Sequence, residues 1–275
     1  MELDVVQWCV ISLLLLLPIL YEVSSYFKYQ AKFIFYYAII MVSAVIMIPI
    51  FMFRPGNVEN QKIISSYFRS VLKVFGITME VRGKENLKSE KSCILVCNHQ
   101  SSLDLLGMME IWPDRCTSLA KMELKYAGPF GLAAWLAGTV FIDRLNRERA
   151  KDTMDKTVKL LKEKNIKLWV FPEGTRNHGG AMLPFKKGAF HLAVQAQVPV
   201  VPIVFSSYSE FYSKREHRFG TGKFIITVLP PLSTQGLQEG DVIELTERIR
   251  SQMLSVFNQS SLETTQVKLT NGIRN

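Results

Sequence analysis

Hydrophobic positions fall into two regimes. At the start of the chain stand two charge-free runs, Val5 to Leu20 and Phe33 to Phe53. As a helix the second is roughly 30 Å long, about the thickness of a bilayer core. The first is shorter, rich in leucine, with Pro18 near its end. From Asn57 onward, short apolar stretches alternate with amphipathic ones. A helix is expected from Asn57 to Gly76, with Ile63, Tyr67, Val71 and Val74 at helical spacing. Strands are expected at Ile77 to Val81, Cys93 to Cys97, Cys116 to Ala120, Thr139 to Ile142, Ile166 to Phe171, Val200 to Phe205 and Lys223 to Leu229. Arg147 to Lys164, Lys187 to Gln195 and Asp241 to Phe257 read as helices. Leu124 to Ala137 is apolar and kinked by Gly128, Pro129 and Gly131, and fits either core or a surface that meets acyl chains.

Strands alternating with helices predict a three-layer α/β domain over residues 57–258. Residues 1–56 would be an N-terminal two-helix membrane anchor, and 259–275 a polar, disordered tail. Glu2 and Asp4 precede the first run and no small-residue cleavage site follows it, so the helices read as a retained anchor, spanning or half-embedded. Arg54, Lys62, Arg69 and Lys73 favour a cytosolic domain. Hydrophobic residues make up 48% of the chain, an excess that these helices explain.

The net charge of +9 suits anionic headgroups or anionic substrates. No zinc-finger spacing, nucleic-acid motif or basic run accompanies it, so no nucleic acid partner is expected. Cys9, Cys93, Cys97 and Cys116 sit in apolar surroundings and form no C-x-x-C pair, which reads as buried free thiols.

At strand ends the chain carries loops where sites are expected. Asn98 to Asp104, NHQSSLD, follows a strand and opens a helix capped by Ser101 or Ser102. With His99 in the turn and Asp104 in the first helical turn, the carboxylate can orient the imidazole as a general base. Ser101-x-x-Asp104 is equally a capping box, in which Asp104 is structural. The loop FPEGTR, Phe171 to Arg176, continues to LPFKKG, Leu183 to Gly188. Arg176, Lys186 and Lys187 with the turn at Gly174 make a phosphate cradle, or a solvated basic loop. Arg144, in FIDR, joins the cradle if it ends a neighbouring strand. Glu173 would repel a phosphate at contact distance, so it orients Arg176 or a lysine, or accepts from a substrate hydroxyl. VPVVPIV, Val198 to Val204, has two prolines, which is odd for a central strand; plain core remains the default, with an edge or bulged position near an apolar substrate as the alternative. His178, His191 and His217 read as surface or helix residues. The chain has no G-x-S-x-G elbow, Walker loop, G-x-G-x-x-G or H-E-x-x-H.

In this order, NHQSSLD, FIDR, FPEGTR and VPVVPIV resemble the four blocks of the glycerolipid acyltransferase family that includes bacterial PlsC. The longer strings NHQSSLDLLGMME and LPFKKGAFHLAVQAQVP resemble its animal 1-acylglycerol-3-phosphate branch, alpha type. The resemblance implies acyl transfer from acyl-CoA to the sn-2 hydroxyl of lysophosphatidic acid, without a metal or other cofactor. It implies His99 as base, Asp104 as its orienter, and Arg144, Glu173, Gly174, Thr175 and Arg176 on the glycerol phosphate. Backbone N–H groups at the start of the Ser102 helix are candidate oxyanion donors. Phosphatidic acid synthesis and cytosolic acyl-CoA point to the endoplasmic reticulum membrane. Oligomeric state and acyl-chain preference are not legible at this level.

Overall fold

A computed structural model describes residues 4–272. Two helices open it, α1 (Val5–Val23) and α2 (Ser25–Met52). Asp4 and Gln7 form a capping box on α1, and the Ser24 hydroxyl caps α2 by accepting from the Phe27 amide. Then come α3 (Glu59–Val71), β1 (Ile77–Arg82), β2 (Ile94–Cys97), α4 (Asp104–Ile111) and β3 (Cys116–Lys121). A single-turn segment, Met122–Tyr126, leads into α5 (Gly128–Leu136) and β4 (Val140–Ile142). The remainder is α6 (Arg147–Lys164), β5 (Lys167–Val170), α7 (Gly188–Ala196), β6 (Val200–Phe205), the hairpin of β7 (Tyr212–Ser213) and β8 (Arg218–Phe219), β9 (Gly222–Val228) and α8 (Val242–Gly272).

Seven strands form one sheet in the order β1-β9-β6-β2-β5-β3-β4, parallel except where β9 meets β6. Alternation along β2 divides the core. Ile94 and Val96 join Val158, Leu161, Phe190, Val242 and Ile249 from α6, α7 and α8. Leu95 and Cys97 point the other way, into a core built with Phe68, Leu106 and Met109 from α3 and α4. These are the three layers expected of the α/β domain. The second layer also contains Tyr29, Phe33, Tyr36 and Ile40 of α2. One face of the supposed anchor is therefore domain core, and a cut at residue 56 would strip that core.

β6 is central, between β9 and β2, and buried along its length in spite of Pro202, as the core reading of VPVVPIV has it. The Pro202 carbonyl accepts from the Leu229 amide, so the strand gives up one ladder donor toward β9 and keeps the acceptor. The pairing resumes beyond it, where Val200 and Leu232 exchange both backbone bonds. The polar segment from Gln259 is not a disordered tail but the continuation of α8 to Gly272. Ser260 and Thr264 are buried and return their hydroxyls to the Val256 and Ser261 carbonyls. The Ser261 hydroxyl accepts from the Ser207 amide at 2.8 Å, and Glu263 pairs with Arg82 at 2.7 Å. Low hydrophobicity here reflects polar contacts with the domain.

Candidate active site

His99 and Asp104 lie at the carboxyl end of β2, in the loop that opens α4. Asn98 fixes that loop in place: its amide oxygen accepts from the Phe205 N–H at 2.8 Å and its Nδ2 donates to the Phe205 carbonyl at 2.9 Å. Gln100 adds bonds to the Phe205 and Ser206 carbonyls at 3.1 and 2.9 Å. The His99 N–H donates to Glu173 Oε1 at 2.6 Å, and its carbonyl accepts from the Asn177 amide at 2.8 Å. The ring stacks on Phe171, with centroids 4.0 Å apart.

Held this way, His99 Nδ1 sits 2.6 Å from Asp104 Oδ2. Asp104 is 1% exposed, and the Gln100 and Ser101 amides also donate to it, at 2.8 and 3.2 Å. A carboxylate so buried and so saturated is fixed in place, and it fixes the tautomer of the ring. Nδ1 is engaged, so Nε2 is the nitrogen left for a substrate. The imidazole itself keeps 19% of its surface open to the cleft.

Both sequence readings of Asp104 thus coincide in one side chain. The Ser cap does not form, because Leu103 occupies that position without a side-chain bond. Asp104 folds back over the Gln100 and Ser101 amides instead. Those amides, and the Leu103 N–H that donates to Ser101 Oγ, are committed and cannot serve as oxyanion donors.

Around the ring two clefts meet. One, about 560 Å³, is basic: His99, Lys121, Arg144, Thr175, Arg176, His178 and Lys214 line it, with Gly174 in its floor. Arg144 Nη1 donates to the Gly174 carbonyl at 2.8 Å, which ties the β4 loop to the EGTR loop. Partial burial and the nearby Lys214 and Arg176 cations lower the pKa of His178 below its ordinary value. The other cleft, about 470 Å³, is largely apolar. Tyr37 and Met41 of α2, Leu105 and Met108 of α4, and Phe130 of α5 line it with His99, Asp104 and Arg176. It adjoins a smaller apolar chamber that shares Ile40, Leu105, Met108, Ala120, Leu124 and Phe130.

Glu173 and Lys186 depart from expectation. Glu173 reaches neither a cation nor a hydroxyl: Oε1 accepts from His99 and Oε2 from the Leu183 amide at 2.8 Å. Burial raises its carboxyl above the usual carboxylate range, against the opposing pull of those two amides. It is a strut between loops. Lys186 lies behind Gly174 rather than in the cleft; a Cβ on Gly174 would come within 2.9 Å of its Cε, and a φ of +71° there demands glycine as well. Arg144, Thr175 and Arg176 line the basic cleft together with His99.

Sequence reading missed Lys121, Lys214, His178 and the α2 tyrosines. Tyr36 Oη donates to the Ser102 carbonyl at 2.8 Å and Tyr37 Oη to Ser102 Oγ at 2.9 Å. A tyrosine pair inside an apolar run was the available signal, since a buried hydroxyl needs a partner. Lys214 carried none, because the two-residue strands of its hairpin are too short to show a pattern.

The Acyltransferase family pattern matches residues 78–206, which include the His99 loop, Arg144 and the EGTR loop. The 1-acyl-sn-glycerol-3-phosphate acyltransferase alpha of Homo sapiens is 50% identical over 248 residues, covering 90% of this chain and 88% of its own. The chain belongs to the 1-acyl-sn-glycerol-3-phosphate acyltransferase family. The human beta enzyme of that family is 40% identical over 251 residues, 90% of each chain. Family membership makes the protein an acyltransferase. A crystal structure of PlsC from Thermotoga maritima superposes with a TM-score of 0.60 at 23% identity, over 89% of this chain and 95% of that one, a likeness of fold.

Proposed function

We propose that this protein transfers a fatty acyl group from acyl-CoA to the sn-2 hydroxyl of lysophosphatidic acid, yielding phosphatidic acid and free CoA. The 2.6 Å bond between His99 and a buried, amide-saturated Asp104 carries the reading. His99 Nε2 takes the proton of the acceptor hydroxyl as its oxygen attacks the thioester carbonyl. The imidazolium that forms is stabilised by Asp104. The tetrahedral adduct collapses with cleavage of the C–S bond, and a thiolate with a pKa of about 8.5 leaves with little need of an acid. No nucleophilic side chain is required. Arg144, Thr175 and Arg176, joined by Lys121, hold the acceptor phosphate on the basic side of His99. Glu173 and Gly174 keep that loop in shape. The acyl chains occupy the apolar side.

Both α1 and α2 are long and apolar enough to cross a membrane. α2 buries a face in the domain from Tyr29 to Phe51, a length close to a whole bilayer core. Such a helix is not ringed by lipid, so we place the pair in one leaflet, with the domain on the cytosolic face of the endoplasmic reticulum. Glycosylation at Asn258, in the chain's N-x-S sequence, would overturn that orientation.

The test is phosphatidic acid formation by purified protein from acyl-CoA and lysophosphatidic acid, with glycerol 3-phosphate, other lysophospholipids and water as parallel acceptors. His99→Ala is expected to lower turnover about 10²- to 10⁴-fold, the usual worth of a positioned base. Asp104→Asn should fall in the same direction, since it weakens the hold on the tautomer. Undiminished product from His99→Ala, or free fatty acid as the main product in the presence of acceptor, would refute the proposal.

A further inference from the structure

We propose that α5 and the turn before it form a second lipid-seated element, carried by the catalytic domain itself, and that acyl chains enter the site between it and α2. The nine residues of α5, GPFGLAAWL, contain no charge. Its inner face buries Gly131, Ala133 and Leu136. Its outer face leaves Leu132 44% and Trp135 48% exposed, and the preceding turn presents Tyr126 at 77% and Leu124 at 39%. A patch of this composition on a protein surface asks for a partner.

The occupant follows from continuity. Ala137 and Leu136 of this segment pack with Met47 and Phe51 of α2. Away from that contact α2 exposes Val42, Val45, Ile46 and Ile50, so α5 is carried by a helix whose remaining surface is apolar enough for a bilayer. Lys125 Nζ stands 5.9 Å from the Trp135 ring centroid, a cation beside an indole, as interfacial belts arrange them. Gly131 makes the turn possible: a Cβ there would come within 2.2 Å of the Lys125 carbonyl. The turn therefore folds across α5 and puts Tyr126 on the outside.

The portal is read from residues that do two things at once. Tyr37 and Met41 of α2 and Leu124 of the turn line the cleft with His99 and are also exposed, at 46%, 38% and 39%. A residue that is both lining and surface marks a mouth. This mouth is rimmed on both sides by apolar helix, so a chain can pass from leaflet to cleft without crossing water.

The experiment uses the full chain in phosphatidylcholine nanodiscs. Trp112 and Trp169 are buried and Trp8 lies on α1, so a Trp8→Phe protein is compared with Trp8→Phe/Trp135→Phe, and the difference emission belongs to Trp135. Spin-labelled lipid with the nitroxide near the glycerol should quench most of that emission, label near the chain end should quench less, and aqueous acrylamide should quench little. Quenching by acrylamide but by neither lipid would mean that α5 faces water, and shielding from all three that a second copy or another protein covers it; either result overturns the proposal. The readout needs no turnover, so it stands apart from the assignment of substrates.

Discussion

α1 and α2 are alike in composition and unlike in what they do. Both are apolar, both are followed by a serine or bend rather than a long linker, and each meets the criterion for crossing a membrane. Yet none of the apolar stretch of α1 is buried in the protein, whereas α2 gives one face to the catalytic core and keeps the other bare. The difference is in the polar atoms. α2 holds the domain through Tyr36 and Tyr37 on Ser102 and through Lys32, whose Nζ donates to the Phe219 carbonyl at 2.7 Å. The ties that α1 makes among the described residues, Glu22 at 3.1 Å and the Tyr21 ring at 4.9 Å, both go to Lys28 of α2. An apolar run reports affinity for something non-aqueous, and only its hydroxyls and amines say whether that is lipid or protein.

The comparison breaks most completely at Tyr36. It is fully buried and bonded to the loop that positions His99 and Asp104, so Tyr36→Ala should cost about 3–5 kcal/mol, in the range of aromatic deletions from cores. Thermal unfolding in detergent would show a large fall in Tm with activity lost alongside. Leu15→Ala, on exposed α1, should stay within about 0.5 kcal/mol. Equal effects from the two would mean that α2 is an anchor and nothing more. Tyr37→Phe sharpens the same point at lower cost. It removes one half-exposed hydrogen bond, worth about 0.5–1.5 kcal/mol, and leaves the ring against the cleft. Because Ser102 stands two residues before Asp104, kcat should fall several-fold while the KM for acyl-CoA stays put; a change in KM alone would make Tyr37 a substrate contact.

Much of this was legible from residue order. The α6 boundaries, the strand alternation and the pairing of His99 with Asp104 all follow from local pattern, because each depends on neighbours within one turn or one strand. What failed depended on distant partners. The length of α8 turns on Ser261 and Glu263 meeting Ser207 and Arg82. Glu173 was assigned to a cation or a hydroxyl because its loop is full of them. Its partners are the backbone amides of His99 and Leu183, and a backbone amide leaves no mark in the sequence. The same blindness hid the role of α2, whose buried face and bare face are both apolar.

The smallest expected effect is at the one ionic tie of α1 among the described residues. Glu22 is 72% exposed and Lys28 36%, so their bond is screened and Glu22→Gln should change stability by about 0–1 kcal/mol. Turnover in detergent should match the unaltered chain, because nothing in α1 lines the cleft at His99. If turnover falls instead with Tm unchanged, a signal is passing from α1 through Lys28 to Lys32 and Tyr36, which lie one and two turns further along α2. The distinction between a helix that only dissolves in lipid and one that builds the site would then be lost, since the position of α1 in the leaflet would be read by the catalytic loop.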